Sequence, residues 1–298
     1  MSHSTLPVAR EALKSKLLGE GRIDLAARLE KCGRELVLRC QACTRGRTCL
    51  TRCDLKWCPS CQPVLAFRTA ERYRVIAAGC QWPLMVTWTC THAAEDSHLL
   101  LRHVRRSHTK LRRQRWFKTR QKGGVISYEL THGDHGWHPH AHSLIDCRWL
   151  SVTIGAPPVG ADRKAILRRA RASCAEVAAQ WTLALGRKGR VEVHRVWRRE
   201  NGIEDSLAEV LKYSTKGSDL AALDDSVPIG PVIDMLDLTR NVASWGTFYR
   251  HPALKRVKPP AAMCECGCSD WLPEELMLAS AVNEYGLTSR QSGRARWH

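Results

Sequence analysis

Six cysteines fall between Cys40 and Cys61, in RCQACTRGRTCLTRCDLKWCPSC, and no other feature of the chain restricts its folding so tightly. Thiols at that density in a short polar stretch have little apolar core to bury them. The start, MSHSTLPVAREALKSK, lacks the apolar centre of a secretion signal, and no stretch approaches the roughly 18 uninterrupted apolar residues of a membrane span. A cytoplasmic protein with no membrane partner is expected. In that reducing compartment the 14 cysteines read as metal ligands or buried thiols, not disulfides. Cys40-x2-Cys43 and Cys58-x2-Cys61 match the two-knuckle spacing of a structural zinc site, with Cys49 and Cys53 between them as alternative ligands. A later tract, CECGC, places Cys264, Cys266 and Cys268 at no standard ligand spacing.

Charge narrows the partners. In 298 residues, 47 Lys plus Arg against 29 Asp plus Glu leave +18, an excess that points to nucleic acid. From Arg102 to Lys122 there are ten Lys or Arg and no Asp or Glu. A helix this basic can follow a phosphate backbone, with Arg105, Arg106, Arg112, Arg113 and Arg115 as contacts and Trp116 and Phe117 available to stack on an unpaired base.

Hydrophobic periodicity divides the chain into an N-terminal helix (1–31), a Cys-rich zinc module with a helical connector (32–78), a central domain (79–222) and a C-terminal extension (223–298). In the central domain PLMVTWTCTH alternates as a strand, with Val86, Trp88 and Cys90 on one face and Thr87, Thr89 and Thr91 on the other. A basic helix, a hairpin, a long helix, a further strand and a further helix follow. That order predicts an α+β fold: a central antiparallel sheet with helices on one face.

The hairpin carries chemistry. In HPHAHSL, His138, His140 and His142 leave the same face of a strand. On the strand before it, Ser127, Glu129 and Thr131 share one face and Ile126, Tyr128 and Leu130 the other. A six-residue loop from His132 to Trp137 pairs residue 131 with 138 and so 129 with 140, close enough for one cation to bridge Glu and His. Two or three imidazoles with a carboxylate suit a catalytic Mn or Mg ion better than zinc. In SLAEVLKYSTK, helical periodicity buries Leu207, Val210 and Leu211, and lines up Glu209, Tyr213 and Lys216 on a different stripe. A tyrosine between a carboxylate and an ammonium has the setting of a nucleophile.

HPHAH and, some seventy residues later, EVLKYSTKGSDL together resemble the second and third motifs of the HUH endonucleases, in particular the single-tyrosine initiators of rolling-circle plasmid replication. PLMVTWTCTH is similar to that family's first motif, and WCPSC to N-terminal segments of many of its members. The resemblance implies a ferredoxin- or RRM-like palm beside the zinc module, and a zinc set that includes Cys53 with Cys58 and Cys61. It implies His140, His142 and Glu129 as the metal ligands, while the strand spacing leaves His138 a further candidate and the donor set favours Mn or Mg. It also implies Tyr213 as the nicking nucleophile, Glu209 as the base that activates water, and Lys216 as the accompanying lysine. The expected function is nicking and rejoining of one strand at a plasmid origin through a 5′-phosphotyrosine, with single-stranded and origin DNA, a host helicase and the replication machinery as partners. A single-strand transposase with the same chemistry and a non-catalytic zinc-dependent DNA-binding repressor are the alternatives.

Overall fold

The computed structural model describes residues 5–91, 97–196, 202–211, 217–238, 240–255 and 263–274. In chain order the elements are α1 (Thr5–Gly19), α2 (Ile23–Glu30), β1 (Glu35–Cys40), β2 (Gly46–Leu50), α3 (Gln62–Ala78), β3 (Pro83–Cys90), α4 (Ser97–Arg113), α5 (Arg115–Arg120), β4 (Gly123–Gly133), β5 (Gly136–Asp146), α6 (Arg163–Leu185), β6 (Gly189–Arg195), α7 (Gly202–Leu211), α8 (Gly217–Ala221), α9 (Gly230–Leu238), β7 (Val242–Gly246) and β8 (Trp271–Pro273). The chain is α+β and forms two compact units, one of residues 1–30 with 53–256, the other of residues 31–52 with 257–298. Among the described residues no helix is long and apolar enough to cross a membrane.

The partition differs from the expected boundaries at three places. The N-terminal segment is a helical hairpin, not one helix: Gly21, at φ +73, turns the chain between α1 and α2. Leu13, Leu17 and Leu29 are buried, while Leu18 faces solvent. The connector α3 belongs with the larger unit, as do residues 223–256, expected to extend beyond the central domain. Polar contacts hold that later stretch to the hairpin. The Glu20 carboxylate accepts from the backbone N–H groups of Ile229 (2.6 Å) and Gly230 (2.7 Å), and Arg22 donates twice to Asp234, at 2.9 and 2.5 Å.

The larger unit is built on a five-stranded antiparallel sheet in the order β6-β3-β5-β4-β7. Strand β5 pairs with β4 in the register Glu129↔His140 and Ser127↔His142, and with β3 in the register Thr89↔His140 and Thr87↔His142. The hairpin turn is tighter than the six residues expected. The ladder runs on through His132↔Trp137 and Gly133↔Gly136, leaving Asp134 and His135 as a two-residue turn, with Gly136 at φ +86. Pro139 sits beyond the last β5 residue that pairs with β3, where an absent N–H breaks no ladder on that side.

Alternation assigns the two faces. Trp88, Ala141 and Tyr128 stand in line on one, and Trp88 packs on Trp181 of α6, Phe117 of α5 and His108 of α4. Helices were expected on this face alone, but α3 and α7 cover part of the other. There Tyr73, Ile76 and Ala77 join Leu207, Val210 and Leu211 over Val125 and Leu144 of the sheet. Two helical layers bury the sheet from both sides, because both faces carry apolar residues at this end of the strands.

The smaller unit holds a three-stranded antiparallel sheet, β2-β1-β8, in which Cys40 pairs with Trp271 and Arg39 with Leu272. Arg39 also bridges to Glu274 at 2.7 Å, and the Arg47 guanidinium lies 4.8 Å over the Trp271 ring. Leu38 is the only buried aliphatic residue here among those described. So small an apolar core does not hold such a unit together without a further cross-link.

Candidate metal centres and basic surface

Past the α3/α7 layer, the same face of the large sheet is polar. Glu129, His140 and His142 bring one ligand atom each within 4.8 Å of the others. His140 Nε2 lies 2.7 Å, and His142 Nε2 3.5 Å, from the same Glu129 oxygen, Oε2. The two imidazoles meet at 86° with centroids 5.2 Å apart, and each presents its Nε2 to the Glu129 carboxylate. Burial pushes the Glu129 carboxyl up, but hydrogen bonds and charge from His140 and His142 outweigh it and bring it down to about 2. The carboxylate is therefore ionised, and two nitrogens and one oxygen face the same small space.

That donor set fits a divalent cation with open coordination positions, and the neighbours fit it too. His142 Nδ1 lies 3.2 Å from Thr87 Oγ1, and His140 Nδ1 lies 3.4 Å from the His138 carbonyl oxygen, which fixes both rings with Nε2 forward. Ser127, opposite His142, is only 1% exposed, and its hydroxyl has no hydrogen-bond partner among the described residues. That buried hydroxyl, on the same sheet face as Glu129 and His142, offers a polar neighbour to a hydrated cation. His138 lies opposite Thr131 with its ring 5.4 Å from that of His140, but stands outside the converging group.

Of the tyrosine-helix residues, Glu209 is exposed on α7. Tyr213 and Lys216 lie outside the described residues. Leu207, Val210 and Leu211 are buried as their spacing predicts, and they seat α7 on the sheet face that bears the histidines.

The cysteines divide otherwise than the two knuckles suggest. In the larger unit Cys53, Cys58 and Cys61 come together, with Cys53 Sγ 3.7 Å from Cys61 Sγ. The turn that brings Cys61 N–H to the Cys58 carbonyl at 3.1 Å runs directly into α3, and Leu55 and Trp57 bury beneath it. In the smaller unit Cys40 and Cys43 meet Cys264 and Cys266 of the CECGC tract. Cys40 Sγ is 3.6 Å from Cys266 Sγ, and Cys43 Sγ 3.5 Å from Cys264 Sγ. Sulfurs at tetrahedral corners about 2.3 Å from zinc stand about 3.8 Å apart, so these spacings suit that ion. Burial pushes the Cys40 thiol up, but N–H donors of Cys43 and Ala42 and the neighbouring thiols outweigh it and bring it down, while hydrogen bonds among the same thiols push Cys43 and Cys266 up, so the group shares its protons and Cys40 is the member that gives one up first. Both cysteine groups are thus compatible with structural zinc. Cys49, on β2, belongs to neither. The CECGC tract offered no spacing signal, because its partners lie more than 220 residues earlier in the chain.

The basic run is two helices broken at Gln114. Arg106, Arg113 and Arg115 are exposed. Arg105 and Arg112, expected to contact nucleic acid, turn half inward: their guanidiniums lie 5.4 Å over the Tyr128 ring and 5.0 Å over the Trp245 ring. Cation–π contacts of this kind are worth about 0.5–2 kcal/mol and tie the helix to the sheet. Comparison with protein-family models, with curated proteins and with solved structures yields no match for this chain.

Proposed function

We propose that the chain nicks and rejoins one DNA strand at a plasmid replication origin, as the HUH initiators it resembles do. The observation that carries the reading is the convergence of Glu129, His140 and His142 on the open end of a sheet face whose other end seats α7, the helix that leads in sequence to Tyr213. His140, His142 and Glu129 would hold a Mn or Mg ion. When bound, that ion supplies positive charge to offset the charge growing on a scissile phosphate.

Tyr213 supplies the nucleophilic oxygen. Its bond to phosphorus forms as the bond from phosphorus to the 3′ oxygen breaks, and the phenolic proton leaves on the new 3′-hydroxyl, which primes synthesis. Lys216 eases ionisation of the phenol. Glu209, four residues before Tyr213 in sequence, takes the proton of the water that later cleaves the phosphotyrosine. Origin DNA, a helicase and the host replication machinery are the partners this chemistry requires, and the cysteine groups serve as structural zinc sites.

Incubation with a random single-stranded oligonucleotide library and Mn or Mg, followed by a denaturing gel, tests the reading. A covalent adduct that disappears in Tyr213→Phe and in His140→Ala supports it. Duplex binding with no strand cleavage under any cation overturns it in favour of a non-catalytic repressor.

A further inference from the structure

At the end of the large sheet away from the Thr89 and His140 pair, cations from four segments of the chain gather beside one indole. Strand β3 begins there at Pro83, opposite Asp146 at the close of β5, and β6 ends there at Arg195, opposite Leu84. Trp82, just before β3, is 43% exposed, and the guanidiniums of Arg148 and Arg195 lie 5.7 and 5.5 Å over its ring. Neither is pressed flat on the ring, where the separation would approach the roughly 3.5–4.0 Å of carbon–carbon contact. Trp82 and Arg148, with Arg120 and Lys122, line a cavity of about 280 Å³. One carboxylate, Asp146, also lines it, but that group is buried and accepts the Trp82 N–H at 2.8 Å.

Backbone bonds fix this corner. The Cys147 N–H donates to the Trp82 carbonyl, and the Lys122 N–H to the Asp146 carbonyl, both at 2.9 Å, so the leads into β3 and β4 and the exit from β5 hold together. Lys122 Nζ donates to Gln81 Oε1 at 2.7 Å, and Arg195 Nη2 to the Arg148 carbonyl at 2.9 Å. An ammonium carries three donors and a guanidinium five, so these single bonds leave capacity for an anion. A solvated charge run comes from one helix face, whereas these cations come from α5, the lead into β4, the exit from β5 and β6, and meet at a half-exposed aromatic ring. An unpaired base stacks on such a ring while its phosphate meets the cations. The cavity falls short of the roughly 300–1,000 Å³ that encloses a free small ligand, so it suits one unit of a polymer that continues over the surface. We propose that Trp82, with Arg120, Lys122, Arg148 and Arg195, forms a stacking platform for one unpaired nucleotide of single-stranded DNA. His142 and Asp146 are four residues apart on β5, roughly 14 Å at about 3.4 Å a residue. The platform therefore secures the flank of the strand, several nucleotides from the phosphate at the metal group. The inference rests on the strand-nicking reading for its ligand, but it is tested by binding alone.

Fluorescence anisotropy of a labelled oligothymidylate on the full chain, titrated with salt, provides that test. In Trp82→Ala, affinity should fall about 5- to 100-fold, the loss of one base stacked on an aromatic ring, while Trp82→Phe keeps a ring and should stay within about threefold of wild type. In Lys122→Ala/Arg148→Ala, the slope of log K against log salt should shrink by about 1.4, at about 0.7 per lost phosphate contact. Wild-type affinity in Trp82→Ala overturns the platform, and so does a loss in Trp82→Phe as large as that in Trp82→Ala. Where Trp82→Ala melts early, the charge reversal Arg148→Glu at an exposed position replaces it: weaker binding supports the platform and wild-type affinity overturns it. Thymidine monophosphate separates a strand from a free nucleotide. Competition no stronger than by chloride at equal ionic strength supports the strand, and saturable displacement at micromolar concentration overturns it. Absence of any covalent adduct from the wild-type chain, with oligothymidylate binding still lost in Trp82→Ala, defeats the nicking reading and leaves the platform standing. An adduct with binding unchanged in Trp82→Ala does the reverse.

Discussion

The cysteine group of the smaller unit and the histidine group of the large sheet are both suited to metal, and they differ in almost every other respect. Cys40, Cys43, Cys264 and Cys266 offer four sulfurs from two distant chain segments, in a unit with hardly any apolar core. Glu129, His140 and His142 offer three donors from one hairpin, on a sheet already held by two helical layers. A closed set of four thiolates substitutes for a core, whereas an open set of three leaves positions for a substrate. The first group should therefore matter to folding and the second to chemistry.

The largest effect is expected where the metal replaces the core. Cys264→Ser should lose zinc from the smaller unit and expose it to protease, since apparent binding free energies of structural zinc run to about 10–16 kcal/mol. Metal analysis and limited digestion read this out, and a digestion pattern like that of wild type would break the contrast. Next in size, Glu129→Gln should weaken Mn binding at least about 100-fold by calorimetry, with hardly any shift in melting temperature. A melting loss as large as that of Cys264→Ser would show the open site to be structural after all. Thr87→Val removes the partner of His142 Nδ1 and should cost about tenfold in Mn affinity, again with little change in melting.

The smallest effect sharpens the contrast through a second carboxylate. Burial pushes Glu176 up, but the Thr153 and Ser151 hydroxyls and the backbone N–H groups of Thr153 and Ile154 outweigh it and bring the carboxyl to about 2, as low as Glu129. No imidazole takes part in that shift. Because the folded value lies below the usual one of about 4.3, the stability it contributes is present above that pH and lost as pH falls towards 2. Glu176→Gln should then cost about 1 kcal/mol at neutral pH, after allowance for solvent screening, and should flatten the decline of stability between pH 4 and 2 in denaturant titrations. A variant with the wild-type slope would show that neutral donors alone do not hold a carboxylate so low.

What the sequence made legible follows the same divide. Alternation in VISYELT and HPHAHSL places Glu129 beside His140 because cross-strand register is a local property of a hairpin. It does so even though the turn is shorter than the punctuation of THGDHGW suggests. The burial of Leu207, Val210 and Leu211 was equally plain from helical spacing. Which sheet face α7 covers was not, since a helix stripe names no partner. The true companions of Cys40 and Cys43 were hidden for a further reason: Cys58-x2-Cys61 nearby offers the same spacing, and loop closure over a long distance costs little more than over a short one. Arg105 and Arg112 read as phosphate contacts because a charge run does not reveal which of its members fold back over Tyr128 and Trp245.

The wide separation of Cys43 from Cys264 also imposes an order on synthesis. With the two thiols 221 positions apart, and translation at about 5–20 residues per second, the early pair waits on the order of tens of seconds on the ribosome for its companions to emerge. Throughout that interval the nascent chain carries unclaimed sulfurs close to the Cys53, Cys58 and Cys61 it has already made. A metal on Cys40, Cys43, Cys264 and Cys266 can therefore be fully ligated only late in synthesis, once both segments have emerged.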